Sequence, residues 1–469
     1  MPGLNSLSFW VCSRQPLLRR CLVRLQASPV GYRLAKGAFW SFVGAVISRG
    51  LGLVSSIIVA RLLGRATFGQ LGIIQSTVGM FGVFAGLGLG ITATKYVAEF
   101  RTKDPARAGR IIQMSGRLAW GSGTAMAVLL VILAPWLSRH TLSAPQLARP
   151  LAISSLVLLF SAIAGAQSGA LAGFEAFKQI TRISFLSGLS TFPVMVGGAW
   201  LLGLNGAVWG LVASQAVLWA LGFFSVRKEA HRASVPLGEK SYAREWSLLW
   251  QFTLPGFLCY LMLIPTEWLC NATLVNQPQG FSQMGLLSAA NQWYAVLSFL
   301  PAVLGQAMLP VFSERYGQQK ISEATHILSL SIKINAAVSA PLVVLGSLAS
   351  PYIMAFYGKN FIEGWPILVV VLVTAGLAAI EIPAAQVLTA FGHMWVLSAM
   401  NFCWACCFLL LTWLLVHHGA IGLATAKMIA HLLHTGWLLA VTVMLVKRKT
   451  RQLGAEGRGT HVPVMRNYR

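Results

Sequence analysis

Charged residues are scarce in this chain, and no long hydrophilic block interrupts its apolar segments. Only 10% of the 469 residues are charged and 56% are hydrophobic, and the mean hydropathy is +0.68. Soluble domains carry about 25% charged residues, so the composition excludes an ordinary soluble protein. Without a hydrophilic block there is no room for a separate soluble catalytic domain. The sequence therefore predicts an all-α integral membrane protein that is not an enzyme.

Acidic residues are scarcer than basic ones: 12 Asp and Glu stand against 36 Lys and Arg, which gives a net charge of +24. In a soluble protein this excess would indicate nucleic-acid binding, but in a membrane protein it indicates basic cytoplasmic loops. We therefore expect no nucleic-acid partner. The seven cysteines are scattered, and the Cys403-x-x-Cys406 spacing lies in an apolar run without a second pair. Neither a metal site nor a cofactor is expected.

Apolar stretches bounded by charge, Pro or Gly predict twelve membrane-spanning helices. They cover residues 37–60, 69–91, 118–138, 150–172, 183–203, 206–226, 247–273, 284–312, 332–356, 365–390, 395–416 and 419–446. An even number of spans puts both termini on one side of the membrane. The side that carries the termini would hold 29 Lys and Arg and the other side 5. This bias predicts cytoplasmic termini, because positive charge accumulates on cytoplasmic loops.

The two halves of the chain resemble each other. "FGQLGIIQS" from Phe68 aligns with "FSQMGLLSA" from Phe281 at an offset of 213, and three further segment pairs keep nearly the same offset. This predicts two six-helix bundles, parallel repeats about an axis along the membrane normal, which is a transporter architecture. The predicted units are a basic cytoplasmic arm 1–36, a bundle 37–226, a cytoplasmic linker 227–246, a bundle 247–446 and a basic cytoplasmic tail 447–469.

One cation lies near the middle of the first predicted span, in "GAVISRGLGLVSS". Placing Arg49 there costs about 2.5–3.5 kcal/mol on insertion scales. Ala45, Gly52 and Ser56 lie near it on the helical wheel and leave room on that face. The six predicted spans of this half contain no acidic residue. An anionic ligand or a water-filled cavity explains such an arginine; a buried arginine bonded to carbonyls of a neighbouring helix is the alternative.

The second half carries a polar stripe in its last span. Lys427, His431 and His434 are spaced to share one helix face. They predict a cavity wall, with histidines able to take part in proton coupling; satisfied core residues are the alternative. Glu381 precedes Pro383 and is a candidate partner, gate or proton site, and Glu267 lies near an outer helix end.

Several segments resemble a known family. "IIVARLLGRATFGQLGII" from Ile57, "GLGITATKYVAEFRTKDPARAGRII" from Gly88, "QMGLLSAANQWYAVLSFLPAVLGQAMLPVFSE" from Gln283 and "GAIGLATAKMIAH" from Gly419 are similar to bacterial polysaccharide-export flippases. These are O-antigen-type translocases of the multidrug/oligosaccharidyl-lipid/polysaccharide (MOP) exporter superfamily. The resemblance covers roughly residues 35–446.

The resemblance implies a V-shaped pair of bundles in the bacterial inner membrane that works by alternating access. It implies a polyprenyl-pyrophosphate-linked oligosaccharide as cargo and a cationic lumen, to which Arg49 and Lys427 would belong. It also implies a monomer surrounded by membrane lipid that contacts polysaccharide polymerase or chain-length machinery. Two alternatives are a cation-coupled multidrug exporter of the same superfamily and a peptidoglycan-precursor flippase.

Overall fold

The computed structural model describes residues 29–237, 261–317 and 321–459, and all regular structure in these ranges is helical. The helices are α1 (Pro29–Gly86), α2 (Leu89–Phe100), α3 (Pro105–Trp136), α4 (Ala148–Gly173), α5 (Phe177–Arg232), α6 (Leu263–Val275), α7 (Gly280–Gly317), α8 (Ile321–Leu348), α9 (Ser350–Ala355), α10 (Trp365–Ala390), α11 (Met394–Leu415) and α12 (Ala420–Gly459). Short 3₁₀ or π turns occupy Leu137–Thr141, Pro145–Leu147, Lys359–Gly364 and Val416–His418. Eight helical segments in the described residues are long and apolar enough to cross a membrane. The predicted all-α membrane class is confirmed.

Two of the long helices are broken by a glycine. A straight 58-residue helix would extend about 87 Å, far more than a bilayer needs, but α1 is interrupted at Gly64 (φ 74°, ψ 170°). The second break is at Gly203 (φ 59°, ψ −131°) in α5. Positive φ strains residues that have a Cβ atom, so glycine suits both positions. Each break divides its helix into a first and a second arm.

Contacts show that the arms fold back on each other. Gly198 and Gly206, on opposite sides of the break in α5, approach so closely that a Cβ on either would collide with the other's carbonyl. In α1, Leu53 and Gln75 line one cavity although 22 positions separate them. Both breaks lie between spans that the hydropathy pattern separates.

Some predicted boundaries differ from the structure or fall outside it. Helix α5 continues to Arg232, past the predicted end at 226, because the basic residues after 226 still follow a helical backbone. Helix α6 is described from Leu263 onward, so the predicted start at 247 lies outside the described residues. The same holds for most of the predicted N-terminal arm and for residues 238–246 of the linker.

The largest buried apolar cluster joins the two halves of the chain. It contains side chains of α1, such as Leu71 and Ile74, together with Leu286 of α7 and Leu368 of α10. Between helices in lipid, close packing of such side chains stabilises the contact in place of the hydrophobic effect. The core therefore lies between the halves as well as inside each of them.

The two segments that align at an offset of 213 face each other in this interface. Gly69 of the first segment lies so close to the Phe281 carbonyl that a Cβ would collide with it. Gly285 of the second segment is similarly close to the Arg65 carbonyl, and Arg65 Nε donates to the Ser282 carbonyl at 3.0 Å. Small residues let two membrane helices approach in this way.

Candidate functional site

Arg49 lies on the first arm of α1 and lines a cavity of about 290 Å³. The wall is formed by both arms of α1, by α5 and by α7. Its polar members are Arg49, Ser55, Ser56, Gln75, Thr191 and Gln292. The buried hydroxyls of Ser55 and Ser56 have no hydrogen-bond partner among the described residues. Because buried polar groups are normally satisfied, these hydroxyls favour a cavity that receives polar contents.

The Arg49 side chain is exposed and reaches the second half of the chain. Its Nη1 donates to the Ala295 carbonyl of α7 at 3.2 Å, and its Cζ lies 4.3 Å from the centre of the Phe299 ring. Bonding to a carbonyl of another helix is what the packing alternative expects. A guanidinium has five N–H donors, however, so this bond leaves capacity for an anion. No carboxylate among the described residues forms an ion pair with Arg49.

Lys427 forms an ion pair inside the second half. Its Nζ lies 2.7 Å from Glu267 Oε1 of α6 and 5.0 Å from the centre of the Tyr294 ring. The three side chains line a cavity of about 30 Å³ together with Asn271 and Asn291. A polar cavity of this size holds about one water molecule. Lys427 is therefore neutralised where it lies.

Glu381 of α10 is the centre of a second buried cluster. Both of its oxygens lie within 3.3 Å of His431 Nδ1, and Thr435 Oγ1 donates to Oε1 at 2.7 Å. His434 Nδ1 lies 3.3 Å from Oε2, which is close enough for an ion pair but not aligned for a hydrogen bond. Trp404 packs edge-on against the His431 ring with centroids 5.3 Å apart. The carboxylate is thus enclosed by partners.

Helix α7 separates the Arg49 cavity from these clusters. Ala295 accepts from Arg49, while the preceding residue, Tyr294, faces Lys427. The predicted site residues therefore form three groups: Arg49 alone, Lys427 with Glu267, and the two histidines with Glu381. The structure does not bring the three groups into one cavity.

Sequence reasoning missed several polar members of these groups. Thr435 follows His431 by four positions, so helical spacing could have indicated it. Gln75 and Gln292 stand in otherwise apolar segments, which was a further signal. The contact of Arg49 with Ala295 has no sequence signal, because any residue offers a carbonyl.

A separate set of contacts closes one end of the interface between the halves. Arg61 Nε donates to the Phe356 carbonyl at 2.6 Å. Arg65 forms an ion pair with Glu363, and its Nη1 lies 3.5 Å from the Asn360 carbonyl. These contacts tie the break in α1 to the short helix Lys359–Gly364. The predicted topology assigns this end to the outer face.

The helical fold of the chain is similar to that of known membrane transporters. The chain superposes on an inward-facing structure of a multidrug resistance MATE family transporter of the MOP superfamily with a TM-score of 0.70. The match covers 88% of this chain and 99% of that one, at 14% sequence identity. The fold is therefore that of MOP-superfamily transporters.

Within that class, residues 34–315 match the family described as polysaccharide biosynthesis protein. The match covers more than half of the chain, and the chain belongs to this family. It is similar to the EPS I polysaccharide export inner membrane protein EpsE of Ralstonia nicotianae, with 24% identity over 367 residues, 76% of this chain and 81% of the relative. It is also similar to the lipid III flippase of Escherichia coli K12, with 22% identity over 425 residues, 88% of this chain and 99% of the relative.

Proposed function

We propose that this protein is a flippase that moves a polyprenyl-pyrophosphate-linked oligosaccharide from the cytoplasmic to the outer leaflet. The product would serve the synthesis of a surface polysaccharide such as O-antigen or exopolysaccharide. The family, the export protein and the lipid III flippase support this class of cargo. The observation that carries the proposal is Arg49, a membrane-embedded guanidinium that lines a polar cavity and has no carboxylate partner among the described residues.

Arg49 would bind the pyrophosphate, because its planar fork matches phosphate oxygens and its charge offsets theirs. The unsatisfied hydroxyls of Ser55 and Ser56 would bond to the sugars. A cavity of about 290 Å³ is small for an oligosaccharide. Entry of the cargo therefore requires α1 and α7 to separate, which would break the bond between Arg49 and Ala295.

The proposed cycle alternates between two arrangements of the halves. The twelve predicted crossings would form two six-helix bundles, with both termini in the cytoplasm and the chain in the bacterial inner membrane. The ion pair between Arg65 and Glu363 and the bond from Arg61 to Phe356 would hold the outer end closed while the cargo enters from inside. Their rupture would open the outer end for release.

The second half would couple the change between the two arrangements to protonation. Lys427, His431 and His434 would join the cargo cavity only after Glu267 and Glu381 release them, since these carboxylates now bind them. Protonation of a carboxylate removes the charge that holds its partner. Glu381 and Glu267 are therefore the proposed switches between a neutralised and a cationic wall.

The alternatives differ in the charge of the cargo. A multidrug exporter for cationic drugs needs carboxylates in its cavity, and the polar wall around Arg49 contains none among the described residues. A peptidoglycan-precursor flippase would also carry a pyrophosphate, so the site chemistry suits it. The relatives named for polysaccharide export and lipid III favour the oligosaccharide reading.

Export of surface glycan by Arg49 variants tests the proposal. We expect Arg49→Ala to abolish export and Arg49→Lys to retain part of it, because an ammonium offers a point charge in place of a fork. Glycan at the cell surface is measured relative to the amount of folded protein in the membrane. Arg139→Ala, which removes an exposed arginine from the turn after α3, is the matched control.

Normal export by Arg49→Ala at normal abundance would refute the proposed role. Parallel loss of protein and export would assign Arg49 to packing. The cargo class is tested separately with purified protein in vesicles. A pyrophosphate-linked oligosaccharide should cross and a lipophilic cationic dye should not, whereas the opposite result would favour a drug exporter.

A further inference from the structure

A second cavity lies within the first half of the chain, away from Arg49. It measures about 450 Å³ and is formed by α3, α4, the second arm of α5 and Leu237. None of the described residues that line it comes from the second half. We name it the α3–α5 groove. It shares no lining residue with the Arg49 cavity, so it is distinct from the proposed cargo site.

The walls of the groove are apolar and aromatic. Trp120, Trp219 and Phe223 line it together with aliphatic side chains such as Ile163. Trp120 keeps 52% of its surface exposed, so the groove reaches the outside of the bundle. Its volume falls within the range of small-molecule sites, about 300–1,000 Å³. These walls suit a hydrocarbon chain.

The mouth of the groove is cationic. Arg117 of α3 and Arg227 of α5 both line it and are exposed, and no lining residue is acidic among those described. The guanidinium of Arg227 stacks on Phe223, with its Cζ 4.2 Å from the ring centre. The nearby carboxylate of Glu229 is bound by Arg232 at 2.9 Å. The described lining of the mouth is therefore basic, and a guanidinium has five N–H donors, so each arginine can bind an anion besides another partner.

Both arginines line the same cavity, which brings them near each other. Arg117 is about 29 Å along α3 from Trp136, and Arg227 is about 36 Å along α5 from the break at Gly203. A hydrocarbon core is about 30 Å thick, so such distances suit guanidiniums near or beyond one edge of it. Ile163 is about 22 Å along α4 from Ala148, so the groove extends from the head-group level into the acyl region.

We propose that the α3–α5 groove binds one anionic phospholipid of the leaflet on the cytoplasmic side. Its phosphate contacts Arg117 and Arg227, and one acyl chain lies along Trp120, Trp219 and Ile163. Basic pockets between membrane helices on the cytoplasmic side bind such head groups, and arginine suits phosphate oxygens. Gln167 Oε1, which lacks a hydrogen-bond partner among the described residues and lines the groove, accepts from a head-group hydroxyl. The proposal is independent of the identity of the cargo.

Purified full-length protein in nanodiscs tests the proposal. In discs of phosphatidylcholine with a minor fraction of phosphatidylglycerol, native mass spectrometry should find one retained phosphatidylglycerol per chain. A phosphatidylglycerol with a photoreactive acyl chain should label residues 112–120 and 163–170 of the unaltered protein. Labelling confined to other helices would overturn the proposal, and this result depends on no variant.

Two variants with matched controls define the site. The position where a Cβ of Gly116 would lie is open space in the groove, so Gly116→Phe fills it. Gly121 is also open but does not line the groove, and Gly121→Phe is its control. We expect Gly116→Phe to lose the bound lipid and Gly121→Phe to keep it. Equal retention by both variants would refute the acyl-chain site.

The charge contribution is tested by removing both arginines. Arg117→Gln with Arg227→Gln should weaken phosphatidylglycerol retention about tenfold or more. Lys103→Gln with Lys228→Gln removes the same charge from exposed positions outside the groove and should change retention little. If both double variants lost phosphatidylglycerol to a similar extent, the retention would reflect only a general electrostatic attraction to the protein surface. That result would overturn the proposed site. Displacement of the retained lipid by an equimolar polyprenyl monophosphate would also overturn it, because the groove would then hold cargo lipid.

Discussion

The two halves of the chain differ in how the charged residues of their predicted membrane spans are paired. In the first half, Arg49 is exposed to a polar cavity and bonds to a backbone carbonyl of the other half. In the second half, Lys427 is bound by Glu267, and Glu381 is enclosed by two histidines and Thr435. Removing one partner of a buried ion pair leaves an uncompensated charge, whereas a charge without an opposite partner is available to an anionic ligand. The comparison therefore separates residues that stabilise this conformation from one that can bind cargo.

The largest effect on stability is expected from breaking the Glu381 cluster. Glu381→Ala removes the hydrogen-bond partner of His431 and the carboxylate that faces His434, in a region where the side chains are only 9–12% exposed. Removing one member of a buried pair costs about 2–5 kcal/mol. Unfolding of the purified protein in detergent measures the loss.

Arg49→Ala is the matching variant from the first half. It should change the free energy of unfolding by less than about 1 kcal/mol, because the side chain is exposed and its removal leaves no buried carboxylate behind. If Arg49→Ala destabilised the protein as much as Glu381→Ala, the distinction between the halves would fail. Glu381→Gln, which keeps a carbonyl acceptor for Thr435, should lie between them.

The next largest difference between the halves is expected in how fast introduced cysteines react with water-soluble thiol reagents. A cysteine at the exposed position Gln75 would line the Arg49 cavity, whereas His434 is only 7% exposed. We expect water-soluble thiol reagents to modify a cysteine at Gln75 about tenfold faster than one at His434, since burial suppresses the reactive thiolate. The exposed native Cys403 and Cys406 must first be replaced.

Leu433, an exposed neighbour of His434, provides a lipid-facing control for the labelling. Labelling of the His434 position as fast as that of Gln75 would show that the second cluster also opens to water. That result would bring the predicted stripe Lys427, His431 and His434 into the cavity wall.

The pair of Lys427 and Glu267 should show a smaller effect. Their side chains are 19% and 43% exposed, so solvent screens part of the attraction. A double-mutant cycle with Lys427→Met and Glu267→Gln should give a coupling energy of about 1 kcal/mol. A coupling near zero would mean that Lys427 is as free as Arg49, which would weaken the comparison.

The smallest effect is expected at the closed end of the interface. Glu363 is 63% exposed, and exposed ion pairs contribute about 0–1 kcal/mol. Glu363→Gln should therefore leave stability nearly unchanged while it raises the labelling of a cysteine at Gln75 by an impermeant reagent added from outside. Unchanged labelling would exclude a gating contribution of this pair.

The sequence indicated which ionisable residues are candidates for a functional site, but it identified only part of each site. A charge inside an apolar span is costly and therefore rare. Arg49, Lys427 and Glu381 stand out in the hydropathy pattern for this reason. The sequence does not say which basic residue is the partner of Glu381. The structure pairs it with both histidines and gives Lys427 to Glu267. Helix rotation decides such a choice, and hydropathy carries no information on rotation.

By itself the sequence determined that the chain is an all-α membrane protein and which ionisable residues its apolar segments contain. These properties follow from the local transfer of side chains and backbone into lipid. Only the tertiary structure decided that Tyr294 faces Lys427 while Ala295 faces Arg49, and that α7 keeps the two cations apart. Those contacts depend on how helices pack in space, and packing is set by all of the surrounding side chains together.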